Sequence, residues 1–143
     1  MSISMHDFLF LNGEKMITVK AYIYSFYYRF CVKHMKMKKL YKKMGTEGEE
    51  SKAEESEEHI AYAKMAAFHV NRITEHLPWE EKCFVRALTL RKFYMKKGIS
   101  CTIYMGVKMI DGKMTAHAWL RCGLLYMSGG SGKGYTVVTK FRT

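Results

Sequence analysis

"SCTIYMGVKMIDGKMTAHAWLRCG", residues 100–123, is the point where the hydrophobic period of the chain changes from helical to alternating. Asp111-Gly112 stands between two extended runs, the strongest short hairpin signal a sequence offers. A two-residue turn there pairs Ile110 with Lys113 and, counting back, sets Gly106 opposite His117 and Tyr104 opposite Trp119. On the second strand Ala116, Ala118, Leu120 and Cys122 share one face, with Thr115, His117 and Trp119 on the other. Cys122 and His117 therefore point to opposite sides. Gly123 then turns the chain into a short strand, "LLYM", and "SGGSGKG" reads as a flexible hairpin loop into a last strand, "YTVVTKF".

Everything before Gly98 reads as helix and linker. In "EEHIAYAKMAAFHVNRITEHL", Ile60, Ala63, Ala67, Val70 and either Ile73 or Thr74 repeat at helical spacing, and Pro78 ends that helix or opens the next. From Trp79 to Lys97 a further helix carries Phe84, Ala87, Leu88 and Met95 on one stripe and Cys83, Ala87, Leu90 and Tyr94 on its neighbour, with Lys96, Lys97 and Gly98 closing it. Nearer the start, Asn12-Gly13 is a plausible cap for a long helix that runs to Gly45. Its aromatic and β-branched residues have strand propensity, but its length and lysine-rich far end favour helix. Lys20 and Arg29 leave too short an uncharged stretch for a membrane span, which needs about 20 apolar residues. The organisation expected is an N-terminal helical extension (1–45), a solvated acidic linker (46–58) and a core (59–143), with an α+β architecture of helices followed by an antiparallel meander.

A chain of 143 residues that is 48% hydrophobic suits one domain with a real core. Its charge of +11 is unevenly spread: residues 47–58 hold seven of the thirteen acids, while Lys82 to the end has twelve Lys or Arg against Asp111 alone. Those cations are dispersed through helix and strand patterns and not gathered in an arm, so nucleic acid is not the expected partner; a solvated basic surface, or a site for an acidic peptide or partner, suits the field better. The cysteines at 31, 83, 101 and 122 form no CxxC pair, and no signal-peptide pattern precedes them, so free thiols in a reducing cytoplasm are expected. His59, His69 and His76 lack a spaced carboxylate or thiolate, so no metal or cofactor is expected. "GGSGKG" at 129–134 misses the phosphate-loop pattern, because Gly134 follows Lys133 and a strand follows the loop.

One cysteine stands apart. In "PWEEKCFVRALTL", residues 78–90, Cys83 lies near the start of its helix, where the dipole and the free backbone N–H groups lower a thiol pKa and can hold an oxyanion. If residues 78–81 are loop the field at Cys83 is strong; if the helix starts at Pro78 it is weak. His117, mid-strand in "TAHAW", is the natural base. Cys31, Cys101 and Cys122 read as core filler.

The blocks "LPWEEKCFVRALTLRKFYMKKGIS", "YMGVKM", "AHAWLRCG" and "SGG...YTVV" together resemble the leader-peptidase half of the B protein of lasso peptide biosynthesis, a family of transglutaminase-like cysteine proteases. The likeness runs from about residue 14 to the end and implies a transglutaminase-like (papain-like) fold. It implies removal of the leader from a ribosomally made precursor, with a small separate leader-binding protein and a lasso cyclase as partners. Cys83 would be nucleophile and His117 base. The family's orienting aspartate has no counterpart, since Ala118 to Thr143 contains no Asp, Glu, Asn or Gln. Ser128 falls near its place and could bond the imidazole, as could a backbone carbonyl. A non-catalytic adaptor that holds the precursor for the cyclase, or an acyl transferase, are the competing readings.

Overall fold

Asp111 and Gly112 have φ of 51° and 76°, the mirror-image turn that right-twisted strands require, and they join β2 (Thr102–Ile110) to β3 (Lys113–Cys122). The computed structural model describes residues 13–79 and 82–143. Ile110 pairs with Lys113, Gly106 with His117 and Tyr104 with Trp119, the register that the turn dictates. Gly123, at φ 58°, then leads into β4 (Leu125–Ser128), and β5 (Thr136–Arg142) follows.

The last strand does not continue the meander. β5 pairs with β2, not with β4, so "SGGSGKG" is a crossover and not a hairpin loop. It passes over Trp119: a Cβ on Gly129 or Gly132 would run into that side chain, and both glycines have φ of 74°. Only residues without a Cβ let the backbone lie this close to an indole while turning left-handed.

The acidic segment is also part of the sheet. Thr46–Glu47 form β1, paired with Arg142 and Phe141 of β5, which gives the order β1-β5-β2-β3-β4. Beyond β1 the chain is tied down by the Ser51 N–H and hydroxyl on Thr102 Oγ1 (2.7 and 2.8 Å) and by Arg121, whose guanidinium donates to the Ser51 carbonyl and the Tyr104 hydroxyl. Glu49 pairs with Arg142 and Glu50 with Lys140. The segment has little apolar surface to bury, which is why it reads as a linker; two of its acids, Glu49 and Glu50, pair with the basic strand beside it, and part of the C-terminal positive field is met within the chain.

The described residues form the helices α1 (Gly13–His34), α2 (Met37–Tyr41), α3 (Glu57–Thr74) and α4 (Cys83–Lys96); α3 and α4 pack on one face of the sheet and α1 packs on them. The proposed cap Asn12 lies outside the described residues. The first helix ends at His34, and extended Lys36 (ψ 137°) restarts the chain as α2, so the single helix to Gly45 is two. The break turns Leu40 inward, to 3% exposure. Nor is α1 an appendage: Ala21 and Ser25 are fully buried against α3 and α4, Tyr24 meets Phe93 edge-on at 5.2 Å, and Ser25 faces Thr89. Ile73 and Thr74 of α3 are both buried, while Met95 of α4, expected inward, is exposed. Ala63, Val70, Leu88, Leu90 and Tyr94 pack on Ile103, Leu120, Cys122 and Phe141, each large side chain contributing about 1.5–3 kcal/mol.

Candidate active site

Cys83 is the first residue of α4, and Pro78, Trp79 and Lys82 lie outside any helix. The helix therefore opens on the thiol, so the positive end of its dipole lies there. Lys82 gives no side-chain cap, and no acid stands in the first turn. Among the described residues no side chain caps the first turn, and its backbone N–H donors face the space where an anion would develop beside the sulfur. Of the other thiols, Cys101 and Cys122 are fully buried, and burial raises them to about 12 and about 11; Cys31 is buried at 5% exposure. These three are apolar core.

His117 sits on the face of β3 opposite Cys122, as the alternation requires, half-buried among rings. Trp119 lies 5.8 Å from it at 22° and Tyr135 4.9 Å from it at 32°. The space beneath is made by Gly106, where a Cβ would stand 2.8 Å from the Trp119 ring and 2.9 Å from the Thr136 carbonyl. The imidazole Nε2 lies 2.7 Å from the carbonyl oxygen of Gly129. A carbonyl only accepts, so Nε2 carries the hydrogen, and in the neutral ring Nδ1 holds the lone pair.

The orienting group is thus a backbone carbonyl and not Ser128. The Ser128 hydroxyl is buried and makes no hydrogen bond among the described residues. The register explains this: Ser128 is paired with Leu120, on the helix-facing side of the sheet, and the His117 ring is on the other. One residue later the left-handed Gly129 turns its carbonyl to the imidazole. Asn71 of α3 donates to the Met127 carbonyl at 3.0 Å and so fixes the end of β4. Neither Asn71 nor Tyr135 is conspicuous in sequence; a Gly-Gly pair directly after a strand is the one local hint of an exposed carbonyl.

Cys83 and His117 line one cleft of about 640 Å³, walled by Phe84, Val85, Met105 and Met114 and reached by Val32 and Met37. Although His117 belongs to the far face of the sheet, β4 pairs with β3 only at Leu120–Cys122 and Gly129 lies against the Ala118 carbonyl, so Lys113–His117 form a free edge among the described residues. At that edge groups from both faces reach the cleft. The residues flanking a two-residue turn form a hydrogen-bonded pair, and the pattern alternates, so Met114, Ala116 and Ala118 aim their backbone N–H and C=O outward. All three line the cleft. Among the described residues no cluster of His, Cys, Asp or Glu could hold a metal, and no helix is long and apolar enough to cross a membrane.

No curated protein and no solved structure matches this chain. A family model described as the transglutaminase-like superfamily matches residues 31–140.

Proposed function

Because the chain belongs to the transglutaminase-like superfamily, we propose that it is a cysteine peptidase that removes the leader from a ribosomally made lasso peptide precursor, delivered by a separate leader-binding protein. The single observation that supports the reading is the cleft whose lining includes both a thiol at a helix start and a tautomer-fixed imidazole. His117 Nδ1 takes the Cys83 proton, and the thiolate attacks the scissile carbonyl. The oxyanion is held by the first N–H groups of α4. The imidazolium then protonates the leaving amine, and water, activated by the same nitrogen, frees the acid from the thioester. A peptide substrate is favoured over a small amide by the free edge of β3: an extended chain can add to it as a strand, pairing with Met114 and Ala116 up to His117, beyond which Gly129 covers the Ala118 carbonyl. The resemblance to the lasso B protein supplies the precursor class, and the separate cyclase that would close the ring is a further partner.

The test is incubation of a synthetic precursor with the full chain and its leader-binding protein, with product termini read by mass spectrometry. Cys83→Ala and His117→Ala should each abolish cleavage, while Cys101→Ala and Cys122→Ala leave it. Equal loss from all four would point to folding defects and sink the assignment. A product carrying an amide in place of the new carboxylate would show acyl transfer, and intact precursor with undiminished binding would leave an adaptor.

A further inference from the structure

A thiolate–imidazolium pair needs its positive charge stabilised, and this site supplies no carboxylate for that purpose among the described residues: the hydrogen bond of His117 is to the Gly129 carbonyl. The faces of the ring offer the remaining means. Trp119 stacks on it at 5.8 Å, and Tyr135 lies closer, at 4.9 Å. Tyr135 is fixed there by its own N–H on the Gly132 carbonyl (3.0 Å), and Gly132 is itself pressed on Trp119. The crossover that delivers the acceptor at Gly129 thus also delivers the ring at Tyr135. Aromatic faces attract a cation, most strongly where water is excluded. Lys108 of β2 reaches the same tyrosine, its Nζ 4.7 Å from the ring centroid. Its charge competes for that ring and repels an imidazolium nearby. Among the described residues, the other charged or titratable groups around the imidazole are Lys82 and, at the start of α4, Cys83, which share its cleft, and Lys133 of the crossover, which is exposed.

We infer that Tyr135 is a positioning residue for His117, its ring capping the imidazole and favouring the imidazolium in place of an acidic third member, with Lys108 opposing it. The inference rests on the Cys83–His117 pair proposed above. It is tested on the full chain by the rate of Cys83 alkylation with iodoacetamide, followed by peptide mass mapping from pH 5 to 9, which needs no peptide substrate. Tyr135→Leu should slow alkylation at pH 6.5 by roughly two- to five-fold and move the profile toward higher pH, the size expected of one cation–ring contact. Tyr135→Phe, which keeps the ring, should restore the wild-type profile. Lys108→Met should move it the other way, with faster alkylation at pH 6.5. A merely structural role would not give opposite shifts from two neighbouring substitutions. Matching profiles for Tyr135→Leu and wild type, or slowing by Lys108→Met, overturns the inference. A profile left unchanged by His117→Ala overturns instead the pair on which it rests.

Discussion

Replacing Ser128 with alanine separates two accounts of the site. A third catalytic member would be indispensable, whereas the hydroxyl found here is buried at 4% exposure and has no hydrogen-bond partner among the described residues. Leaving a buried hydroxyl unpaired costs about 1–3 kcal/mol. Ser128→Ala removes that cost and leaves a gap of one oxygen, so the net gain should be about 1 kcal/mol. For a chain of 143 residues that corresponds to a rise in Tm of about 3–5 °C. The main chain of β4 is unchanged, so the Gly129 carbonyl stays on the imidazole. Thermal unfolding by circular dichroism gives the first quantity, and the iodoacetamide rate at Cys83, read by mass spectrometry, gives the second. A fall in Tm of similar size together with tenfold slower alkylation would refute the reasoning and return Ser128 to the site.

At pH 7.5 Cys83 should be alkylated well before Cys101 and Cys122, because a group held at about 11 or about 12 is ionised there to less than roughly one part in a thousand; equal labelling of Cys101 or Cys122 in the folded protein would contradict this. Those two folded values lie above the usual thiol value of 9.0, so the unfolded chain loses its protons first and stability falls as pH rises from about 9 to about 11–12. The loss should be about 1.4 kcal/mol per pH unit for each thiol across that window, read by urea melts, and Cys101→Ala with Cys122→Ala should flatten it. Gly132→Ala places a Cβ against Trp119 at φ of 74°, and should cost about 1–3 kcal/mol while slowing Cys83 alkylation through the displaced crossover; a neutral Tm would show that the loop is not pressed on the indole. Arg121→Met frees the Ser51 carbonyl and the Tyr104 hydroxyl, so limited proteolysis should begin within residues 48–56; an unchanged cleavage pattern would show that the strap is held elsewhere.

The hairpin was legible because its determinants are local. Asp111-Gly112 sets the turn, the turn sets the register, and the pleat then assigns every side chain from Thr102 to Cys122 to a face. The helical runs were legible in type, since apolar spacing is counted within one element. Their limits were not: whether Pro78 opens α4 depends on what surrounds residues 78–82, and the break after His34 depends on where Leu40 finds cover.

What the sequence by itself determined is the alternation that puts His117 and Cys122 on opposite faces, and the placing of Cys83 near a helix start. Tertiary structure decided the rest. It set β5 beside β2, carried the glycine-rich segment across Trp119, brought the Gly129 carbonyl and the Tyr135 ring to His117, and bound the acidic segment to the basic strand. Each of these joins residues distant in the chain, and the free energy that selects the pairing lies in contacts between elements, which no local pattern of side chains encodes.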